Sequence, residues 1–357
     1  MKIALVHDDL IQWGGAEKVL AEISNIFPDA PIYTAIADLK NPLIAQNFKG
    51  KKIVTSFLQK LPFIKAIYKP LMPLYPIAFE QFDFSGFDLV ISQTTRFAKA
   101  IITKPETTHI CYIHTPPRFL WNFNGKKTSG FSNPLFSALR KFDLVSSKRV
   151  DFWIAGSENC QNRTKKIYGV DSKVLYPFVD TEKLNPQKSF TGDYYLIISR
   201  LNKYKKVDVA INAFKRNGRE LKIVGVGPEF PRIRANAPEN VDILGKVNDS
   251  LLESLLSGCK GLIISAEEDF GMTAIEAQAL GKGVIAYGAG GVLETVIPGK
   301  TGNYFPEQTT ESLNKALEIF ESLKIDPKDC YENAKRFSKE KFKGRLLELI
   351  QSCKPGL

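Results

Sequence analysis

The sequence contains few of the side chains that metal sites and nucleophilic active sites usually require. It has three histidines and five cysteines in 357 residues, and the histidines form neither an HExxH nor a Ser-His-Asp pattern. The cysteines are odd in number and no two form a CxxC pair, which indicates reduced thiols and neither a disulfide framework nor a zinc site. Because no DxD triplet occurs either, we expect no metal ion to bridge a bound diphosphate.

Long apolar runs are also missing. No stretch approaches the roughly 20 apolar residues that a membrane-spanning helix needs. Residues 2–7 already form a strand-like run, and they lack the features of a signal peptide. With 44% hydrophobic and 24% charged residues, the chain is typical of a globular protein. Its length exceeds what one core usually organises, so we expect two domains of about 150–200 residues in a cytoplasmic protein.

Acidic residues are absent from residues 39–79, a stretch that holds seven lysines in a chain with a net charge of +11. Within it, at residues 55–79, lysines alternate with Phe, Leu, Ile and Tyr. This composition suits nucleic acid, the surface of an anionic membrane, or a solvated face above an ordinary core. The sequence contains no RNP motif and no zinc finger, so we expect no nucleic-acid partner. The other two interpretations stay open.

Strand and helix patterns alternate regularly along the chain. Apolar runs typical of buried parallel strands occur at 2–7, 87–92, 108–114 and 151–157, and again at 194–199, 221–227, 241–245, 261–265 and 283–288. Helix patterns occur at 15–27, 207–216, 248–257, 272–281 and 309–323. The two series flank a turn-rich link, residues 176–193. We therefore predict an α/β protein with two doubly wound domains facing each other across a cleft, over residues 1–180 and 181–335, and an amphipathic helix over 336–357.

Open α/β sheets bind ligands at the carboxyl ends of their strands, and three sequence features point to that edge. Gly14 and Gly15 lie between the first strand and the first helix, where the backbone could approach a ligand or simply form a turn. Arg200 and Lys205 follow the first strand of the second half. A guanidinium and an ammonium group there suit a diphosphate, although the same residues could form a solvated basic loop.

The third feature is EEDFGMTAIEAQ, residues 267–278. A strand ends before it and a helix starts near Gly271, so the N–H groups of residues 270–273 would point at an anion. Glu268 precedes the helix and Glu276 lies about one turn inside it, and carboxylates accept hydrogen bonds well from paired sugar hydroxyls. Alternatively, Glu276 forms a salt bridge to a lysine and Glu268 interacts with the helix dipole.

Read together, these segments resemble the retaining glycosyltransferases of family 4. EDFGMTAIE, residues 268–276, resembles the Glu-x7-Glu element of that family. The family's other motifs are present in its own order: GGAEKVL at 14–20, CYIHTPPRFLW at 111–121, SRL at 199–201, GVGPE at 225–229, DILGKV at 242–247 and AYGAGGVLETVIPGKTGNYF at 286–305. More narrowly, HTPPRFLW and AIEAQALGKGVIAYGAGGVLETV resemble the branch of bacterial O-antigen and exopolysaccharide mannosyltransferases.

The resemblance implies a GT-B fold with two Rossmann-like domains, the first for the acceptor and the second for a nucleotide-sugar donor. The last helix would return to the first domain. Glu276 would then bind the ribose hydroxyls and Glu268 the transferred sugar. Arg200 and Lys205 would bind the diphosphate, and His114 would contact the sugar from the first domain. Further donor-binding residues are implied beside the diphosphate (Gly14, Gly15, Phe270, Gly271, Met272, Thr273) and beside the base (Gly225, Gly227, Leu244, Gly245, Lys246).

The activity implied is retaining transfer of a hexose, in this branch mannose from GDP-mannose, without a cofactor or metal. The acceptor would be a glycan or an oligosaccharide carried on polyprenyl diphosphate at the inner face of the cell membrane. Residues 48–75 would then hold the protein peripherally on that anionic surface. A transferase that uses another nucleotide sugar or a sugar-phosphate acceptor stays open, and so does a non-catalytic protein that binds sugars or a lipid surface.

Three residues depart from the family pattern. Lys206 stands where many members have glycine, and Thr273 where many have proline. Asp9 replaces a tryptophan that is common in the mannosyltransferase branch. The first two lie near the expected donor, so they bear on which sugar is used, whereas Asp9 bears on the acceptor.

Overall fold

The computed structural model describes residues 1–121, 133–184, 186 and 192–353. The chain divides into two compact units, Met1–Pro177 with Lys343–Leu357, and Phe178–Phe342. Part of the predicted link, residues 185 and 187–191, lies outside the described residues, and so does the end of the predicted last helix, residues 354–357. No helix in the described ranges is both long and apolar enough to cross a membrane.

The first unit is built on a parallel sheet of seven strands in the order β3-β2-β1-β4-β5-β6-β7. Its strands are β1 Ile3–His7, β2 Ile32–Thr34, β3 Ile53–Thr55, β4 Leu89–Thr94, β5 Thr108–Ile113, β6 Phe152–Ala155 and β7 Lys173–Val174. Its α-helices are α1 Gly15–Ile26, α2 Pro42–Asn47, α3 Ile64–Ile67, α4 Tyr75–Glu80, α5 Pro134–Ser147 and α6 Glu158–Tyr168. Short 3-10 helices cover Phe57–Lys60, Met72–Leu74 and Ala98–Ala100.

The second unit is built on a parallel sheet of six strands in the order β10-β9-β8-β11-β12-β13. Its strands are β8 Tyr194–Ile198, β9 Glu220–Val224, β10 Val241–Gly245, β11 Gly261–Ile264, β12 Gly283–Tyr287 and β13 Gly302–Phe305. Its α-helices are α7 Val207–Asn217, α8 Phe230–Ala235, α9 Asp249–Gly258, α10 Met272–Ala279, α11 Val292–Thr295, α12 Thr310–Ser322 and α13 Pro327–Ala334. Lys203–Lys205 and Lys335–Phe337 are 3-10 helices.

The last helix, α14 Lys339–Cys353, starts three residues later than predicted. Ser338 has an extended backbone and separates α14 from the preceding 3-10 turn. The backbone N–H groups in the first turn of a helix have no partner within the helix. The Ser338 hydroxyl accepts a hydrogen bond from one of them, the N–H of Lys341. From Lys343 onward the helix belongs to the first unit.

All nine predicted strands and all five predicted helices are confirmed within a few residues. They were readable because parallel strands covered on both faces need unbroken apolar runs, and both central strands β4 and β11 are buried along their whole length. Helix starts follow the usual capping chemistry, as at α5, where the Asn133 side chain accepts from the N–H of Leu135 and Pro134 opens the helix. Each sheet has hydrophobic cores of its own, so each unit is a doubly wound α/β layer structure.

Candidate functional site

The carboxyl edge of the second sheet carries the residues that the sequence predicted for a donor. Parallel strands end at one edge, so each loop that follows a strand contributes there. In order along the chain these contributions are Arg200 and Lys205 after β8, Gly225 and Gly227 after β9, Leu244, Gly245 and Lys246 at the end of β10, and Glu268, Phe270, Gly271, Met272, Thr273 and Glu276 after β11. The second unit therefore brings its predicted residues to one edge of one sheet.

Lys205 and Glu268 form an ion pair at this edge. The distance between Lys205 Nζ and Glu268 Oε1 is 2.5 Å, and the two side chains are 11% and 24% exposed. The backbone of Lys205 is held by the residue that follows β11, because the Ser265 hydroxyl donates a 2.9 Å hydrogen bond to the Lys205 carbonyl. Gln308 in turn donates to the Ser265 carbonyl. Cation and carboxylate are thus held together in the loops that follow two neighbouring strands, β8 and β11.

Arg200 differs from Lys205 in its surroundings. Its side chain is exposed, and no described residue forms an ion pair with its guanidinium. The neighbouring Leu201 is buried, and its N–H donates to the carbonyl of Val226. Arg200 therefore extends a cation into solvent from a backbone that is fixed at the end of β8.

Lys206 adopts the backbone conformation that glycine would favour. Its φ is 54° and ψ is 32°, in the left-handed region, and it caps the start of α7. A residue with a Cβ costs about 1–2 kcal/mol in this conformation, which glycine adopts without strain. The turn that carries Lys205 is consequently under strain.

Helix α10 presents an open N-terminus at the same edge. Gly271, with φ of 91°, is the cap residue, and no side chain caps the helix. The first turn contains no acidic residue. The partial positive charge of the helix start is therefore not offset by a carboxylate in that turn, and this end of α10 suits a bound anion.

The loop that carries Glu268 is positioned by glycines that the sequence analysis did not single out as site residues. Glu268 pairs with Gly290 in an isolated parallel bridge, and the N–H of Gly291 donates to the Glu268 carbonyl over 2.8 Å. A Cβ on Gly291 would lie 2.3 Å from the carbonyl oxygen of Asp269 and from Cα of Phe270. The signal for this contact was the Gly-Ala-Gly-Gly run after β12, which was used only as a family motif.

Glu276 is half-buried on α10, and the polar network beside it fixes that helix. The Gln278 amide donates to the carbonyl of Thr295 over 2.8 Å. Asn333 donates to Gln278 Oε1 over 2.5 Å and to the same Thr295 carbonyl over 2.8 Å. Gln278 is fully buried and Asn333 nearly so. Because these amides satisfy one another, the network locks α10 against α11 and α13 and so sets where Glu276 lies.

The loops after β8 and β9 approach each other so closely that only glycine fits. A Cβ on Gly225 would lie 1.8 Å from the carbonyl oxygen of Ser199, and one on Gly227 would lie 2.4 Å from that of Leu201. The N–H of Gly225 also donates to the carbonyl of Gly245, whose φ is 69°. These glycines bring the ends of β8, β9 and β10 together, beside the exposed Leu244 and Lys246.

In the first unit, His114 follows β5 and lies against the ends of two other elements. The ring Nε2 of His114 is 2.5 Å from Nε2 of Gln93 on β4. The backbone N–H of His114 donates to the carbonyl of Thr94. Its ring meets that of Tyr112 edge to face, with centroids 5.0 Å apart. The side chain is half-buried at the carboxyl edge of the first sheet.

Gly14 and Gly15 lie at the start of α1, with a carboxylate in the first turn. Gly14 is the cap residue in an extended conformation, and a Cβ there would meet Oε2 of Glu17 at 3.2 Å. Glu17 is buried and lies 3.8 Å from His7 Nε2. An anion at this helix start would meet a carboxylate, so α10 offers the more favourable anion site.

Two buried aspartates follow β1, and both serve the loop after β4. Asp8 accepts hydrogen bonds from the N–H groups of Thr95, Phe97 and Ala98. Burial opposes its ionisation, but the Arg96 guanidinium, His7 and these N–H groups outweigh it and lower the pKa of Asp8. Asp9 forms a buried ion pair with Arg96. Asp9 therefore holds this loop in place through Arg96.

His109 forms a pair with Ser92 that resembles a base and its nucleophile. The Ser92 hydroxyl is 2.8 Å from His109 Nε2, and His109 Nδ1 is 3.2 Å from the carbonyl oxygen of Arg149. Both side chains are completely buried. Burial lowers the pKa of His109 to about 4. No substrate could reach this pair in the folded protein, so its role is structural.

Two family models match consecutive parts of the chain. The model described as Glycosyltransferase Family 4 matches residues 13–183. The model described as Glycosyl transferases group 1 matches residues 180–337. Together they account for both units apart from the chain ends.

Curated relatives are similar at moderate identity. Glycosyltransferase MJ1178 of Methanocaldococcus jannaschii is 31% identical over 192 residues, and the match covers about half of each chain, 51%. The alpha-1,3/1,6-mannosyltransferase ALG2 of Saccharomyces cerevisiae is 24% identical, with 82% of this chain and 71% of the relative covered. ALG2 of Dictyostelium discoideum is 24% identical, with 96% and 94% covered.

Solved structures share the fold over nearly the whole chain. HepE from Anabaena, in a complex with UDP, superposes with a TM-score of 0.70 at 20% identity and covers 99% of this chain and 100% of its own. Sucrose-phosphate synthase from Thermosynechococcus elongatus gives a TM-score of 0.74 at 14% identity, with 99% of each chain covered. The α/β GT-B fold is thereby confirmed.

Proposed function

We propose that this chain is a glycosyltransferase of family 4. It would transfer mannose from GDP-mannose, with retention of configuration, to a glycan or to an oligosaccharide on polyprenyl diphosphate. The observation that carries the proposal is the carboxyl edge of the second sheet. There the Lys205–Glu268 pair, the exposed Arg200 and the open start of α10 lie on neighbouring elements. This arrangement offers two cations and a helix N-terminus to a diphosphate and carboxylates to a sugar.

Mannose is the proposed sugar because of two kinds of similarity. Relatives that align with most of the chain are named alpha-1,3/1,6-mannosyltransferases. The motifs HTPPRFLW and AIEAQALGKGVIAYGAGGVLETV resemble the O-antigen and exopolysaccharide branch. A UDP-sugar is the second candidate, because HepE, which has the same fold, was solved with UDP-glucose.

The reaction breaks the bond between C1 of the sugar and a phosphate oxygen and forms a bond between C1 and an acceptor oxygen. Arg200, Lys205 and the N–H groups of residues 270–273 would stabilise the charge on the departing diphosphate. We propose that these groups stabilise the diphosphate without the help of a metal ion. Removing one such donor typically costs about 3–4 kcal/mol of barrier, a hundredfold or more in rate.

Retention is proposed to proceed by attack on the face from which the diphosphate leaves, with a diphosphate oxygen taking the acceptor's proton. Glu268 would orient the sugar hydroxyls. Its carboxylate is paired with the Lys205 ammonium group, which makes it a poorer nucleophile. Capture of a covalent sugar adduct on Glu268 by mass spectrometry would contradict this step, and its absence during turnover is expected.

A donor screen tests the proposal. The protein is incubated with GDP-mannose, other GDP-sugars and UDP-sugars together with lipid-linked acceptors, and nucleotide release and product linkage are measured. Transfer from GDP-mannose with an α-linked product is expected, and activity should persist after EDTA treatment. Glu276→Ala should abolish most of the donor binding. Transfer only from a UDP-sugar would replace mannose in the proposal, and loss of activity on chelation would contradict the metal-free assignment.

We propose further that residues 48–75 hold the protein on the inner face of the cell membrane. The first unit exposes lysines along this segment: Lys49, Lys52, Lys60, Lys65 and Lys69. Each basic residue near an anionic surface contributes roughly 1 kcal/mol. Phe63 is 85% exposed and has a φ of 55°. A bulky residue that is both strained and exposed favours a function outside the fold, here insertion between lipid headgroups.

Phe63 permits a test in which folding and membrane binding change in opposite directions. Phe63→Gly removes the left-handed strain and should leave the protein at least as stable as the wild type. The same change removes the phenyl group that would be buried among the lipids. Its loss should cost about 2 kcal/mol, or about 30-fold in affinity for the membrane.

Co-sedimentation with vesicles that contain an anionic lipid measures this effect. Ile319→Ser is the matched control, because Ile319 is 52% exposed but lies on α12 of the second unit. Equal binding by wild type and Phe63→Gly, or binding insensitive to salt, would contradict the membrane proposal.

A further inference from the structure

We infer that Gln93 is a positioning residue that fixes His114 as a neutral hydrogen-bond donor, with its proton on Nδ1. Gln93 lies on β4 and is 1% exposed. Its side-chain Nε2 lies 2.5 Å from Nε2 of His114 and 2.8 Å from the carbonyl oxygen of Ala16 in the first turn of α1. One amide therefore joins three elements at the carboxyl edge of the first sheet.

The orientation of the amide follows from the carbonyl of Ala16. This oxygen can only accept, so the amide atom that faces it must be the nitrogen, which carries two hydrogens. The reverse orientation would place Oε1 against the Ala16 carbonyl. Two carbonyl oxygens would then face each other with no hydrogen between them. The 2.8 Å distance to the Ala16 oxygen is that of a hydrogen bond, so the nitrogen faces Ala16.

The tautomer of His114 follows from the orientation of the amide. An amide nitrogen donates but does not accept, and its second hydrogen points at His114 Nε2. Nε2 must therefore carry a lone pair, and in the neutral ring the proton lies on Nδ1. A proton on Nε2 would oppose the N–H of Gln93, which is held in place by its bond to Ala16. The ring is further oriented by its edge-to-face contact with Tyr112.

This assignment gives His114 one chemical role and excludes another. Nδ1–H can donate to a hydroxyl, whereas Nε2 cannot take up a proton while Gln93 binds it. His114 is therefore no general base, and the acceptor's proton must go elsewhere. The inference rests on the proposed glycosyl transfer, in which that proton passes to an oxygen of the leaving diphosphate and His114 only orients the sugar.

Nuclear magnetic resonance reads the tautomer without any substrate. The protein is labelled with 15N at histidine, and two-bond 1H–15N spectra of its three rings are recorded across about pH 6 to 8. His114 should show an unprotonated Nε2 and a protonated Nδ1 throughout this range. The buried ring of His109, which bonds to Ser92, serves as the internal reference. A protonated Nε2 on His114 in the wild type would overturn the inference.

Two substitutions separate positioning from a merely structural role. Gln93→Met removes the donor at similar size, and His114 should then populate both tautomers. Gln93→Glu supplies an acceptor in place of the donor and should draw a proton onto Nε2. In both variants the His109 signals should stay unchanged, which shows that the sheet is intact. An unchanged His114 spectrum in either folded variant would also overturn the inference.

Transfer kinetics complete the test. The rate of transfer in Gln93→Glu should fall at least about tenfold, and its pH profile should differ from that of the wild type, because the new carboxylate favours a proton on His114 Nε2. Identical pH profiles in wild type and Gln93→Glu would contradict the positioning role. If no nucleotide sugar is turned over by the wild type, the proposed function fails while the spectra still decide the tautomer, so the two failures are distinguishable.

Discussion

Lys206 has a backbone conformation that favours glycine, and a side chain at this position has a cost in stability. With φ of 54°, the lysine occupies a conformation that costs a residue with a Cβ about 1–2 kcal/mol. Glycine adopts it freely but loses about 0.5–1 kcal/mol through the greater freedom of the unfolded chain. We therefore expect Lys206→Gly to raise the free energy of unfolding by up to about 1 kcal/mol, as measured by urea denaturation.

Lys206→Ala provides the control for this prediction. Alanine keeps the strain and removes only the lysine side chain, so it should give no gain in stability. If Gly and Ala change the free energy of unfolding equally, the strain assigned to this turn is wrong.

His109 predicts a pH dependence of stability. Burial holds its pKa at about 4 in the folded protein, against 6.5 when unfolded. Between these values the unfolded chain binds one more proton than the folded one, so stability is complete above about pH 6.5 and falls as the pH decreases toward 4. The slope is about 1.4 kcal/mol per pH unit, or roughly 3 kcal/mol in total.

Unfolding of wild type and His109→Gln at a series of pH values measures this contribution. Between about pH 4 and 6.5, the free energy of unfolding of the variant should fall less steeply with decreasing pH, by the slope that one proton contributes. Above about pH 7 the two curves should be parallel. Parallel curves over the whole range would show that His109 is not held neutral by the fold.

At the scale of elements, the loop between β11 and α10 depends on a glycine from another loop. A Cβ on Gly291 would lie 2.3 Å from the backbone of the loop that carries Glu268. The atoms that this Cβ would meet belong to the backbone, which cannot move aside as the end of a flexible side chain can. Gly291→Ala should therefore destabilise the second unit by about 2–4 kcal/mol. It should also weaken nucleoside diphosphate binding at least about tenfold, since Glu268 and the start of α10 move.

Gly86→Ala is the matched control, because a Cβ at Gly86 meets nothing within 4 Å and its backbone is unstrained. Thermal unfolding and calorimetric titration should leave this control at wild-type values. Unaltered binding in folded Gly291→Ala would show that the loop does not depend on this contact.

The elements also show what could be read from the sequence. Strands such as β4 and β11 were predicted because burial on both faces leaves an unbroken apolar run. β2, β3, β7 and β13 were not predicted, because two to four residues are too few to carry a pattern. The lysine-rich stretch had no predicted elements, and the structure forms short helices there, some of them opened by proline, as in α2 and α4.

The candidate site was predictable in part for a similar reason. Glu268, Lys205 and the start of α10 follow strand ends, and their position after a strand is visible in the sequence. The contacts that fix them were not visible. Gln93 meets His114 across 21 residues, and Asn333 meets Gln278 across 55, so their roles depend on packing between distant segments.

At the scale of the whole molecule, the two units divide the work that the chain is proposed to do. Each has its own parallel sheet and its own cores. The first unit carries His114 and the lysine-rich surface with Phe63, and the second carries the cations, glycines and carboxylates of the proposed donor site. The GT-B fold follows from the comparisons, and the central claim beyond it is that the second unit binds a diphosphate.

Calorimetric titration of GDP and UDP tests that claim most directly. The wild type is compared with Lys205→Met and with Lys203→Met, whose lysine lies exposed in the same 3-10 turn as Lys205. We predict that the wild type binds at least one of the two nucleotides. Lys205→Met should weaken that binding about 10- to 100-fold, the value of a charge-assisted hydrogen bond, and Lys203→Met should change it less than about threefold. If neither nucleotide binds the wild type, or if both variants bind equally well, the account is contradicted.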